Sequence, residues 1–256
     1  MQNPTKELSG KAVLITGGSR GLGAELAKAF ADRGADVAIS YARSSAKAEA
    51  VIKALQAKGV DALAIQSDQG DPAAARPLVD TAVERFGRLD ILVNNAGIAV
   101  QGQQVDDPDF RSADNDRQWQ VNVMGAVATT RAAAPRLTDG GRIIFIGSRF
   151  GTHVLVPGVA DYAGTKAAVI GYAKGVARDL GPRNITVNVV QPSVMPTDMA
   201  AAVVGNPAVM DAILDLHPVR RIATLEEVAD LVCFIAGPSA GYVTGEVISV
   251  SGGAGV

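Results

Sequence analysis

The feature that most constrains this chain is an alternation kept up almost from end to end: short, nearly continuous apolar runs separated by longer segments of helical period. The runs fall at 12–16, 37–41, 62–65, 91–93, 143–146, 185–190 and 247–250, the length of strands. Between them, the period predicts helices over 22–33, 45–58, 72–86, 113–137, 162–180 and 225–236. A strand apolar on both faces must be covered on both faces, and intervening helices let successive strands run parallel. The expected fold is therefore α/β: a single doubly wound parallel seven-stranded sheet with helices on both faces. No linker or shift of composition divides the 256 residues, so one domain over 1–256 is expected.

Composition removes several classes of function. Lys and Arg number 24 against 26 Asp and Glu, a formal charge of −2, which provides no overall field for nucleic acid or an anionic membrane. The first ten residues are polar, and no 18-residue apolar run occurs later, so a cytoplasmic protein is expected. Cys233 is the single cysteine, suited to core packing in a reducing compartment. Aromatics make up only 4% while glycines number 28, which favours a nucleotide fold over a base-stacking or sugar-stacking surface.

In a doubly wound sheet, ligands bind outside the carboxyl ends of the strands. The polar and glycine motifs collect there. Thr16-Gly-Gly-Ser-Arg-Gly-Leu-Gly23 follows the first run, Asn94-Asn-Ala-Gly97 the fourth, Gly147-Ser148 the fifth and Gln191-Pro-Ser193 the sixth. Gly17, Gly21 and Gly23 suit a tight turn that presents backbone N–H groups and a helix N-terminus to a pyrophosphate. An NAD-selecting acid would stand at the end of the second strand. Tyr41 stands there instead, followed by Ala42-Arg43-Ser44, and the nearby carboxylate, Asp36, lies at the strand's other end. Arg20 and Arg43 are candidates for a 2′-phosphate, so NADP(H) is the expected cofactor. Asp68, after the third strand, is a candidate acceptor for an adenine amino group.

Tyr162 and Lys166 stand four apart in a helical segment, hence on one face. A phenol titrates near pH 10 and needs a neighbour that favours phenolate before it can do acid/base work near neutrality. An ammonium about 5 Å away, at an effective dielectric near 20, would supply roughly 3 kcal/mol, about two pK units.

Taken in order and spacing, Thr-Gly-x3-Gly-x-Gly at 16–23, Asn-Asn-Ala-Gly at 94–97, Asn122, Ser148 and Tyr162-x-x-x-Lys166 make the chain resemble the short-chain dehydrogenase/reductase superfamily, from about residue 9 to residue 253. The resemblance implies a Rossmann-like fold and four catalytic residues. Tyr162 would be the general acid in carbonyl reduction, or the base in alcohol oxidation, and Ser148 would hydrogen-bond the substrate oxygen. Lys166 would hold the nicotinamide ribose and depress the Tyr162 pKa, while Asn122 would hold a relay water. Asn95, Ala96 and Gly97 would line the adenosine ribose, and Thr197, with Met195 beside it, would meet the carboxamide. The candidate cofactor contacts are then Gly17, Ser19, Arg20, Gly21, Leu22, Gly23, Tyr41, Arg43, Ser44, Asp68, Gln69, Asn95, Ala96, Gly97, Tyr162, Lys166, Pro192, Ser193, Met195 and Thr197. No metal site is expected.

Two departures from the family pattern stand out. Pro192-Ser193 replaces the usual Pro-Gly, putting a side chain where the nicotinamide is expected to lie close, and the gap from Ser148 to Tyr162 is 14 residues where 13 is common. The resemblance further implies a lid over 194–217 and a homotetramer or homodimer, assembled through the helix that starts at Tyr162 and the helix before it. The substrate expected is a hydrophobic ketone or β-keto ester. A 3-oxoacyl-carrier-protein reductase is the alternative, less favoured because 131–142 is only thinly basic. A non-catalytic nucleotide-binding regulator or a structural subunit on the same scaffold would not need all of Asn122, Ser148, Tyr162 and Lys166.

Overall fold

The computed structural model describes residues 6–255; the first five residues and Val256 lie outside that range, as do the side chains of residues 202 and 203. The seven strands are β1 (Ala12–Ile15), β2 (Asp36–Tyr41), β3 (Ala62–Gln66), β4 (Leu89–Asn94), β5 (Leu137–Ile146), β6 (Thr186–Pro192) and β7 (Val247–Val250). They form one sheet in the order β3-β2-β1-β4-β5-β6-β7, every neighbouring pair parallel. Strand order reverses between β1 and β4, which opens a crevice beyond their carboxyl ends.

Each strand feeds two cores because successive side chains point to opposite faces. Val13, Ile15, Val37, Ile39, Ile91, Val93, Ile144 and Val190 meet α1 (Gly21–Asp32), α2 (Ser45–Gln56) and the later helix α9 (Leu225–Ala236). Leu14, Ala38, Leu92, Ile143, Phe145, Val187 and Val189 meet α3 (Ala75–Phe86), α5 (Ala126–Ala133) and α6 (Ala160–Leu180). The covered, near-continuously apolar strands are what the sequence predicts. Cys233 is buried in the first core, where burial pushes its thiol up to about 12.

Two boundaries differ from expectation. The segment 113–137 is not one helix: α4 (Ser112–Trp119) passes into a π turn (Gln120–Gly125) before α5, and β5 starts at Leu137, well before the apolar run. The early start of β5 has an electrostatic cause. Asp90, at the amino end of β4 and 2% exposed, accepts hydrogen bonds from Arg88 Nε (2.7 Å) and Nη2 (2.6 Å), Ala12 N (2.9 Å), Thr138 Oγ1 (2.9 Å) and Lys11 Nζ (3.3 Å). One carboxylate thus ties together the beginnings of β1, β4 and β5. After β6 the chain makes a helical excursion, a 3-10 turn (Asp198–Ala200), α7 (Ala201–Val204) and α8 (Pro207–Leu214), before returning to α9.

Burial pushes the Asp90 carboxyl up, but Arg88, the Ala12 N–H, Thr138 and Lys11 together hold it below its ordinary value of 3.8. A depressed carboxyl stabilises the fold above the unfolded pKa, and that stability is lost as pH falls from 3.8 through the folded value. Asp90→Asn is expected to cost about 1–3 kcal/mol at pH 7, because the buried carboxylate's charge-assisted hydrogen bonds from Arg88 and Lys11 are lost while water still solvates those exposed cations, and less at pH 3. Urea unfolding at the two pH values measures both; an equal loss at both would remove the carboxylate's charge from the explanation.

Candidate active site

The glycine turn between β1 and α1 is built for close approach. Gly17 and Gly21 have φ of +68° and +52°, which only glycine adopts without strain. A Cβ at Gly23 would lie 2.3 Å from Gly17 O. No side chain caps α1 and no acidic residue occupies its first turn, so its free N–H groups and positive dipole end face the crevice. The turn is locked to the end of β4: Asn95 Nδ2 donates to Thr16 O (2.8 Å) and Gly17 O (3.2 Å), while Asn95 N and Ala96 N donate to Thr16 Oγ1.

The residues expected to be catalytic gather beyond β4 and β5. Lys166 Nζ donates to Ile146 O at 3.0 Å, tying α6 to the last residue of β5, two before Ser148. It lies over the Tyr162 ring, 5.7 Å from the centroid. Phe150 meets the same ring edge-on, centroids 6.3 Å apart and planes at 84°. Ser148 is extended, and its Oγ accepts from Phe150 N at 3.3 Å. Asn122 sits in the π turn, a form common at functional sites. Its Oδ1 accepts from Ile98 N (2.8 Å), and its Nδ2 donates to Ile98 O (2.9 Å) and Thr165 Oγ1 (3.2 Å). Both amide hydrogens are therefore committed, and the side chain spaces the loop after β4 from α6. A Cβ at Gly97 would lie 3.3 Å from Asn122 Oδ1 and 3.6 Å from Lys166 Nζ.

Other expected residues have partners that the sequence did not suggest. Arg20 Nη1 bonds Asp198 Oδ2 at 2.8 Å, across the crevice to the start of the excursion, with Lys47 Nζ 3.9 Å from the same oxygen. Asp68 accepts from Gly70 N (2.9 Å) and Arg117 Nη2 (2.5 Å). The Gly70 hydrogen bond is the largest cause holding its carboxyl below the ordinary value; burial opposes it, and Arg117 and Arg43 add to it. Arg43 is exposed, and Ser44 stands at the start of α2 without capping it. Tyr41 packs against the core. Gln69 is pressed against α5's approach, where a Cβ at Gly125 would meet Gln69 O at 1.8 Å; its Nε2 is buried with no partner among the described residues. Thr197 faces Gly21, its Cγ2 3.4 Å from where a Cβ would stand, and Met195 packs on the core below. Ser193 does not turn its hydroxyl to the crevice; it bonds His217 Nε2 at 2.7 Å. His153 is exposed, its Nδ1 3.0 Å from Thr152 Oγ1. Of the residues missed, Thr16 alone was readable, since it stands in the turn motif; Lys47, Arg117, Asp198 and His217 reach the site from distant parts of the chain.

The family model described as Enoyl-(Acyl carrier protein) reductase matches residues 17–255. The chain belongs to the short-chain dehydrogenase/reductase superfamily. A short-chain dehydrogenase from Burkholderia cenocepacia, solved in complex with NADP, superposes with a TM-score of 0.92 at 44% identity, covering 98% of this chain and all of that one. Versicolorin reductase of Emericella nidulans is 39% identical over 258 residues, 96% of each chain. The cyclic-di-GMP-binding biofilm dispersal mediator protein of Escherichia coli is 40% identical over 244 residues, 95% of this chain and 97% of that one.

The superfamily's Tyr-Lys pair is electrostatically unlike the expectation drawn from its spacing. Burial pushes the Tyr162 phenol above its ordinary 10.0, and contact with the Ser148 hydroxyl lowers it by less. Lys166 is not among the causes. Burial pushes the amine itself down to about 8 from 10.5, and it points at the Ile146 carbonyl from above the ring face. Both groups lose hydration here, and that loss outweighs the attraction expected from their spacing.

For a buried lysine the folded state favours the neutral form, so the unfolded state binds more protons between pH 8 and 10.5 and stability rises across that window. Below it the charge costs roughly 3 kcal/mol. Lys166→Met is expected to raise stability at pH 7 by up to that amount, less the hydrogen bond to Ile146, with the gain vanishing near pH 10.5. Urea midpoints at pH 7 and pH 10 test this; a variant no more stable than the parent at pH 7 would mean the amine is better solvated than its burial implies.

Proposed function

We propose that the chain is an NADP(H)-dependent reductase that interconverts a hydrophobic ketone and its secondary alcohol. The observation that carries this reading is the meeting of Ser148, Tyr162 and Lys166 at the carboxyl end of β5, braced by Asn122 and facing the glycine turn. The residues present fit a dinucleotide: a glycine cradle that a Cβ would fill, an uncapped helix N-terminus and a partnerless buried amide at Gln69. Gly17 to Gly23 would hold the pyrophosphate, and Lys166 the nicotinamide ribose. The NADP complex of the Burkholderia relative supports the cofactor choice, as does the absence of an acid at Tyr41. For the 2′-phosphate, Arg43 is the better candidate, because Arg20 is drawn to Asp198.

Bound there, the dinucleotide supplies the hydride. The protein's own residues do the rest. Tyr162 donates its phenolic proton to the carbonyl oxygen; burial keeps the phenol protonated until that step, and the phenolate it leaves has to be stabilised by its neighbours. Ser148 hydrogen-bonds the same oxygen and stabilises the charge that develops on it. Lys166, anchored on Ile146, lies over the ring, where positive charge stabilises the phenolate left behind. Asn122 fixes the distance between Ile98 and Thr165 and so positions α6.

The substrate reading rests on an apolar rim. Val154, Leu155 and Val156 are exposed beside the site, and Met199, Val209 and Leu216 are exposed on the excursion, which would act as a lid. An acidic carrier protein has less to bind. Arg136 pairs with Asp80 at 3.5 Å, Arg183 with Asp139 at 2.8 Å, and Arg142 is spent on the carbonyls of Gly140, Gly141 and Gly237. Assembly would use α6 together with α4 and α5. Gly171 and Gly175 leave open space on α6, whereas Gly164 is filled within the subunit by Trp119.

Following NADPH oxidation at 340 nm with a ketone panel tests the whole reading. Tyr162→Phe is expected to retain NADPH binding and lose turnover by about 10²–10⁴-fold; turnover at the parent rate would remove Tyr162 from its role. Arg43→Ala is expected to weaken NADPH by about tenfold through one lost charge-assisted contact and leave NADH nearly unaffected, measured by titration calorimetry. Equal losses for both cofactors would place the 2′-phosphate elsewhere.

A further inference from the structure

The side chain at Ser193 departs from the family pattern, and its partner, His217, lies 24 positions away at the far foot of the excursion. Ser193 Oγ and His217 Nε2 are 2.7 Å apart. His217 Nδ1 is 2.7 Å from Ile213 O. A carbonyl oxygen only accepts, so Nδ1 carries a proton, and in the neutral ring Nε2 accepts from the Ser193 hydroxyl. The histidine is 6% exposed, so the bond is shielded from competing water.

Both feet are held by β7 and the glycine-rich turn after it. Ser193 N donates to Val250 O at 3.1 Å, and Val219 N donates to Gly252 O at 2.9 Å. Gly252 and Gly253 have φ of +56° and +86°, and a Cβ at Gly253 would lie 2.8 Å from Pro218 Cγ. The chain beyond β7 therefore folds tightly over the second foot, and the Ser193–His217 bond joins it to the first.

We propose that Ser193 and His217 form a clasp at the base of the lid that sets its height over the substrate mouth. They are positioning residues: neither acts on the reacting atoms, and their influence falls on substrate capture. The proposal rests on the reductase reading of the same site.

The test is a cycle of Ser193→Ala, His217→Phe and the double variant, with Ser193→Thr as the variant that keeps the hydroxyl. Each single change is expected to lower kcat/KM for ketones on the order of tenfold, the loss carried by KM rather than kcat. The double variant should be no worse than either single one, and Ser193→Thr should recover most of the loss. Losses that multiply in the double variant, or a KM within about twofold of the parent in both single variants, would overturn the clasp. Amide hydrogen exchange over 198–214 provides a readout without turnover, and Ser193→Ala should speed it; unchanged exchange also overturns the clasp. A parent protein that oxidises no NADPH with any ketone would instead overturn the reductase reading, leaving the exchange measurement to decide the clasp by itself.

Discussion

A parallel sheet buried on both faces leaves its chain only two places to put polar groups: the ends of its strands. Here the faces are filled by two apolar cores that share the same strands residue by residue. Two buried charged side chains, Asp90 and Lys166, lie at opposite ends of the strands, and the two ends are used in opposite ways. At the amino end, Asp90 is surrounded by five donating contacts and its charge is compensated in full. At the carboxyl end, Lys166 is also buried but, among the described residues, has one carbonyl for a partner and no carboxylate.

That contrast separates stability from chemistry. A satisfied charge holds three strands in register and has no proton to give. An amine that burial pushes down to about 8 stands beside a phenol that burial keeps protonated. The fold bears a local energetic cost at this end, offset by the packing elsewhere. Asn122 belongs to the same economy of position: with both amide hydrogens committed, it contributes a fixed distance between the loop after β4 and α6.

The fold was legible because its signals are local. Strand runs, the glycine turn and the Tyr162–Lys166 spacing each occupy a few consecutive residues, and the carboxyl-end clustering comes from where those runs stop. The illegible part depends on contacts between distant residues. Nothing near Ser193 announces His217, and nothing near Arg20 announces Asp198. The helical period over 113–137 continues through the π turn because one inserted residue barely disturbs an apolar pattern. The start of β5 at Leu137 was hidden for another reason: Thr138, Asp139 and two glycines read as a loop until Asp90 provides Thr138 with a partner. The phenol's shift runs opposite to the spacing argument because spacing specifies distance and says nothing about hydration.

The π turn at Gln120–Gly125 holds one residue more than regular α geometry would. Dropping any one of those six would let α4 and α5 fuse into a continuous rod, turning α4 by about 100° relative to α5. Asn122 would then swing off Ile98, and Gly125 would lose its register with Gln69. The segment is thus tolerant of changes in spelling on its outer face and intolerant of changes in length.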